Sequence, residues 1–323
     1  MINIKSIWEN QKPTGEIIVR TRIVGIQDLQ CFVATNHITG QHSFLIAVSK
    51  NVVFPDLKNY RFKGVEIFII ELDNCVELNI YLLDNDLKDI FSLFIQNILE
   101  NIESSVTESE AITTTLNLVS KWKKLFDKIH FNCLSLEQQK GLTGELLFLN
   151  FLLHNEKTSS NAVNGWTAAE TDFQAKDFTF GSVGIEVKFT SSKQPRVKIS
   201  NERQLDAENL SDLFLVLYSA EAVKENGFSL NSLVLQTRQA ISNDEERSFF
   251  NAKLQLSGYF DKDSEHYEKK YSLKKTFGFA VTSEFPKIVK NQLPLGIYDT
   301  SYSIEISAVE SFIIELENIL AKI

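Results

Sequence analysis

Asp177-Phe178-Thr179-Phe180-Gly181-Ser182-Val183-Gly184-Ile185-Glu186-Val187-Lys188 is the stretch on which the reading of this chain turns. In Ile185-Glu186-Val187-Lys188-Phe189 apolar and charged residues alternate strictly, the period of a half-buried strand. Glu186 and Lys188 then project from one face, and Ile185, Val187 and Phe189 from the other. Two residues of strand rise set the Cα atoms of Glu186 and Lys188 roughly 6.5–7 Å apart, close enough for one water to touch both side chains. Asp177 to Phe180 reads as a second strand, and Gly181 to Gly184 supplies a tight turn. A hairpin there returns Asp177 to the side of Glu186. Hard oxygen ligands of this kind suit Mg2+ or Mn2+ rather than zinc. On its own the triplet also describes a solvated surface hairpin, and its neighbourhood has to decide.

Upstream, Ser135-Leu136-Glu137-Gln138 is a capping-box helix start, with Ser135 as N-cap and Gln138 as its partner. The helix it opens is expected to reach about His154, with Leu142, Leu146, Leu149 and Leu153 on the buried stripe. Glu145 lies one residue off that stripe among Leu142, Phe148 and Leu149. A carboxylate there is costly unless something pairs with it; it also fits a boundary residue reaching water. Gly141 and Gly144 each weaken the helix by roughly 1 kcal/mol relative to alanine, but would let another backbone or a metal site approach. Downstream, Ser200 to Leu205 reads as a further helix start, and Leu213-Phe214-Leu215-Val216-Leu217-Tyr218 as a strand covered on both faces. The local order is helix, strand, strand, strand, helix, strand, with the first strand around Trp166.

The ordered segments GLTGELLFL, DF, GIEVKFT, ISNERQLD and LFLVLY, over residues about 135–220, resemble the core of the PD-(D/E)xK nucleases. The resemblance is closest to a poorly characterised branch whose genes often lie near restriction–modification genes. It implies an α/β (mixed α+β) fold, with a restriction-endonuclease-like core in which helices flank a mixed sheet. It implies Asp177 as the motif aspartate, Glu186 as the second acid, Lys188 as the lysine and Glu145 as the helix glutamate. Gln204 resembles a polar residue that some members bring near the metal, and pairs equally well with Asn201 as a local cap. Lys176 stands where the family name has proline. Asp172-Phe173 competes with Asp177-Phe178 for the first acid, and spacing favours Asp177.

From the same resemblance, Asp177, Glu186, the Val187 carbonyl and Glu145 are the expected ligands of Mg2+ or Mn2+. The expected activity is endonucleolytic cleavage of DNA leaving 5′-phosphates, in a restriction or phage-defence system with its partner proteins. A nuclease-fold subunit that binds DNA or a partner without cutting is the alternative. Cleavage of both strands would suit a homodimer.

The formal net charge of −9 over 323 residues excludes a protein that coats phosphates with its whole surface. DNA contact is therefore expected in a local groove, and Lys193, Arg196, Lys198 and Arg203 form the basic cluster that follows the motif. Lys269, Lys270, Lys274 and Lys275 form a second cluster, which a solvated charged face explains as well as DNA does. Cys31, Cys75 and Cys133 are the only cysteines. They are far apart, without zinc spacing, and fit reduced thiols in a cytoplasmic protein. The start of the chain has no signal-peptide pattern, and no apolar run reaches membrane-spanning length.

Two domains are expected, residues 1–130 and 131–323. The first is β-rich over residues 15 to about 82, with strands at 16–24, 30–34, 43–48 and 65–70 and helices near 86–103 and 108–129. The second holds the nuclease-like core and a C-terminal α+β extension: helices over about 228–257, strands around 271–282 and 301–306, and a last helix from Ser307 carrying Val309, Phe312, Ile313, Leu316, Ile319 and Leu320.

Overall fold

The computed structural model describes residues 3–26, 29–60, 62–128, 133–168, 176–192 and 196–323. The chain divides into two compact units, residues 1–130 and 131–323.

The first unit begins with helix α1 (Ile4–Asn10) and an antiparallel sheet of β1 (Ile18–Arg22), β2 (Gln30–Asn36), β3 (His42–Val48), β4 (Val65–Glu71) and β5 (Val76–Leu82), in the order β1-β2-β3-β5-β4. Helices α2 (Lys88–Ile102) and α3 (Glu108–Lys128) follow. Phe62, Phe94, Trp122 and Phe126 form a ring cluster in this unit. β5 escapes a pattern reading because it buries Glu77 and Asn79 among its apolar residues. The buried charge is matched: Arg20 on β1 donates to Glu77 at 2.7 Å.

The second unit opens with α4 (Leu136–Leu153), started by the reciprocal bonds between Ser135 and Gln138. A short α5 (Ala162–Gly165) leads to β6 (Phe178–Phe180), β7 (Val183–Thr190), β8 (Arg196–Ile199) and β9 (Asp212–Val223). Helices α6 (Leu230–Ala240) and α7 (Asp244–Leu256) precede β10 (Lys270–Ala280), β11 (Tyr302–Glu305), β12 (Ile313–Ile314) and α8 (Leu316–Leu320). The main sheet runs β12-β10-β9-β7-β6, and β8 pairs with β11 in a separate ribbon. β7 and β9 are parallel and central; the other pairs are antiparallel. The mixed sheet is therefore as the α/β reading requires.

β9 is buried on both faces, and the alternation of its side chains divides two cores. Phe214, Val216 and Tyr218 join Ile185 and Val187 under α4, α6 and α8. Leu213, Leu215 and Leu217 join Val197, Ile199 and Phe279 on the other face. Each such phenylalanine or leucine contributes roughly 1.5–3 kcal/mol by leaving water. Gly144 sets how closely α4 rides on β7: a Cβ there would lie 3.1 Å from Cβ of Phe189. Gly141 meets nothing within 4 Å, so the close approach belongs to Gly144 alone of the two. On α4, Leu142, Leu146 and Leu149 are buried, whereas Leu153 is half-buried and Leu152 fills the core.

Three expectations need correction. Ser200 to Leu205 forms turns, not a helix. Gln204 Oε1 accepts from Ser200 N and Asn201 Oδ1 from Arg203 N, so side chains take the donors a helix would use. Trp166 makes only an isolated bridge to Phe178 and no strand. The long C-terminal helix is replaced by tight 3-10 turns, β12 and the five-residue α8. Val309 and Phe312 pack in one core while Ile314, Ile319 and Leu320 pack in the other. One helical stripe cannot serve both faces of a sheet. Gly278 leaves space for Ile314, whose carbonyl would lie 2.9 Å from a Cβ at that position.

Candidate active site

The β6–β7 hairpin turns on Gly181 and Ser182, with Phe180 opposite Val183. Gly181 has φ of +57°, the left-handed backbone a type II′ turn needs at its first position. This register sets Phe178 opposite Ile185, so Asp177 falls just beyond the paired region, level with the strand that carries Glu186 and Lys188. Asp177 Oδ2 accepts the backbone N–H of Val187 at 2.7 Å. Within a strand the N–H and C=O of one residue point to the same edge. The Val187 carbonyl therefore shares the edge on which Asp177 lies.

Glu186 is fully buried. Its Oε1 accepts from Lys188 Nζ at 2.5 Å, while Oε2 has no hydrogen-bond partner among the described residues. Glu145, Asp177 and Lys188 are half-buried. Glu145 Oε2 accepts from Trp166 Nε1 at 2.8 Å. Each carboxylate thus spends one oxygen on the protein. A buried carboxylate oxygen without a donor is costly, and its usual explanation is an ion, a water or a catalytic role.

The charges of these groups are strongly coupled. Burial, and then the nearby Asp177, push the pKa values of Glu145 and Glu186 up to about 8. Burial also raises Asp177, against the opposing Lys188 charge and the Val187 amide. Burial works against the Lys188 ammonium, but the charges of Glu186 and Asp177 more than offset it and hold its pKa above the ordinary value. Burial lowers Lys176, whose Nζ donates to the Arg203 carbonyl at 2.5 Å. Three carboxylates that resist ionisation beside one firmly charged lysine form a site that favours an added cation.

The two acids and the lysine of the motif thus converge on one hairpin. Residues 4–307 match the family model described as "Putative PD-(D/E)XK family member, (DUF4420)". The chain belongs to this PD-(D/E)XK family. No curated protein and no solved structure gives a significant match.

In this PD-(D/E)XK protein Glu145, Asp177, Glu186 and Lys188 come together. Among the described residues no three His, Cys, Asp or Glu side chains form a ready metal cage. The donor set still fits a hard divalent ion: carboxylate oxygens, a backbone carbonyl on the same edge, and one buried oxygen of Glu186 without a partner. Gln204 stays apart in the sense that its amide oxygen is committed to Ser200 N at 2.7 Å, the local capping role. Asp172 and Lys193 lie outside the described residues. Arg196 and Lys198 occupy alternate exposed positions of β8, and Arg203 is exposed on the following turn. Arg196 pairs with Glu305 at 3.0 Å, a solvent-exposed contact of small net value.

Three supporting residues were not anticipated. Trp166 orients Glu145, and its own carbonyl accepts from the buried Lys253 Nζ. Lys253 on α7 also donates to the Val163 carbonyl at 3.1 Å, within α5. Thr167 fixes the backbone before the first acid: its N donates to the Asp177 carbonyl at 2.9 Å and its Oγ1 to that of Lys176 at 2.5 Å. A lysine on the stripe of Phe249, Phe250 and Leu254 was the available signal for Lys253. No local pattern marks Thr167.

Among the described residues no helix is long and apolar enough to cross a membrane.

Proposed function

We propose that this protein is a metal-dependent nuclease that hydrolyses DNA phosphodiester bonds, acting as an endonuclease in a restriction or phage-defence system. The observation that carries this reading is the buried Glu186 carboxylate, with one oxygen on Lys188 and the other without a partner, tied through Val187 to Asp177. Asp177 and Glu186 with the Val187 carbonyl would hold Mg2+ or Mn2+, and Glu145 would act on the same ion directly or across a water. When bound, the ion supplies Lewis acidity, which activates water and offsets charge at the attacked phosphate. Lys188 is held charged beside Glu186, where it can orient the attacking water and balance negative charge as the phosphate is attacked. Trp166 keeps Glu145 aimed inward, and the Val187 amide keeps Asp177 in place. Arg196, Lys198 and Arg203 would meet the phosphates of the duplex.

The test is nicking and linearisation of supercoiled plasmid by purified protein with Mg2+ and with EDTA. Glu186→Gln and Lys188→Met should each abolish cutting while leaving circular dichroism unchanged. Equal cutting by the variants and the wild type would overturn the site assignment.

A non-cutting DNA- or partner-binding subunit is the second reading, favoured by the lack of a ready cage among the described residues. It predicts tight DNA binding with no cutting until the proteins encoded beside it are added.

A further inference from the structure

A cavity of about 930 Å3 opens beside Ser191, Ser192, Ser219, Lys275, Phe277 and Ile313. Its place follows from strand register. Glu186 is opposite Leu215, Lys188 opposite Leu217 and Thr190 opposite Ser219 across the parallel pair. Leu217 is in turn opposite Phe277, and Ser219 opposite Lys275, across β9 and β10. Directly opposed residues share a face, so Glu186, Lys188, Ser219, Lys275 and Phe277 all project on one side of the sheet. Ile313 lies opposite Phe279 and joins that same side. The cavity is therefore the continuation of the face that carries the acid and the lysine. From the level of Lys188 to that of Ser219 is two residues of strand rise, roughly 6.5–7 Å, a step comparable to that between successive phosphates of one strand.

The chemistry of the lining is mixed. Ser191, Ser192 and Ser219 offer hydroxyls; Phe277 and Ile313 offer a half-buried ring and an exposed apolar edge. Lys274, at the bulge in β10, is neutralised by Glu221 at 2.5 Å. Lys275 has no acidic partner among the described residues. Glu310, exposed on a 3-10 turn of the C-terminal segment, is the other acid of the lining.

We infer that this cavity is a nucleotide subsite: it takes the nucleotide next to the cleaved bond, with its phosphate on Lys275 and the serine hydroxyls and its base against Phe277 and Ile313. The inference rests on the nuclease reading and adds to it the path of the substrate strand. It also gives the C-terminal segment a role, since β12 and the turn at Glu310 form one wall of the cavity.

The test is binding of a fluorescein-labelled DNA duplex, followed by anisotropy over a KCl series, in a Lys188→Met parent that does not cut. Lys275→Ala should weaken binding several-fold and flatten the plot of log affinity against log salt by about 0.9, the share of one duplex phosphate. Glu310→Lys should tighten binding. Both positions are exposed, so the variants should melt like the parent. A parent that binds while both variants bind identically to it overturns the subsite and leaves the nuclease reading standing. A wild-type protein that neither binds nor cuts DNA overturns both.

Discussion

The carboxylate of Asp177 and the backbone amide of Val187 are joined by a 2.7 Å hydrogen bond, so the first acid of the motif is pinned between the second acid and the lysine. Asp177→Asn keeps an acceptor for that amide and should fold like the wild type. Asp177→Ala leaves the amide without its partner, which costs about 1–3 kcal/mol where water cannot replace it. Both variants should lose cutting. Thermal melting checks the difference; equal melting temperatures would mean the bond carries no stability.

Glu145 and Glu186 have pKa values raised from 4.5 to about 8. Between those values the folded, metal-free protein keeps protons that the unfolded chain has released, so this contribution to stability falls as pH rises. It is whole below the ordinary carboxylate range and gone above about pH 8. The melting temperature of the wild type relative to Glu186→Gln should therefore decline from pH 5 to pH 9. A relative stability that rises with pH would contradict the buried, raised carboxylate. Divalent ion binding should tighten over the same range and release protons, seen as a heat that depends on the buffer used in calorimetry.

Gly141 and Gly144 share α4 but face different surroundings. Gly141 has open space, so Gly141→Ala should stabilise the second unit by up to about 1 kcal/mol. Gly144 lies against Phe189 and Val187, so Gly144→Leu should lift α4 from β7 at a cost of about 1–3 kcal/mol and move Glu145 from the site. Chemical denaturation measures the first effect, and loss of cutting together with stability the second.

Trp166→Phe keeps most of the buried ring and removes the donor to Glu145. That donor lowers the Glu145 pKa, so its loss should move the acidic limb of the activity–pH profile to higher pH. A hydrogen bond to a charged group is worth about 1.5–3 kcal/mol, so cutting at neutral pH should slow about tenfold or more. An unchanged pH profile would place the Trp166–Glu145 contact outside the chemistry.

The hairpin was legible because it is local. Alternation over Ile185 to Phe189 and the glycine turn specify strand faces and register without help from distant residues. α4 was legible through its capping box, and β9 through an unbroken apolar run. What holds Glu145 was not: Lys253 reaches Trp166 across 87 residues, and no pattern near either residue announces the other. Ser200 to Leu205 misled because Asn201 and Gln204 can cap a helix or replace one, and tertiary contacts to Lys176 and Thr300 favour the turn. The C-terminal apolar residues kept helical spacing by coincidence, since they serve two cores.

The most direct test is calorimetric titration of Mn2+ into the purified protein at about pH 8, where the raised carboxylates begin to ionise. Binding should be seen in the wild type, kept in Lys188→Met and lost in both Asp177→Asn and Glu186→Gln. Binding that survives both acid substitutions, or that is absent from the wild type, would contradict a metal seat between Asp177 and Glu186.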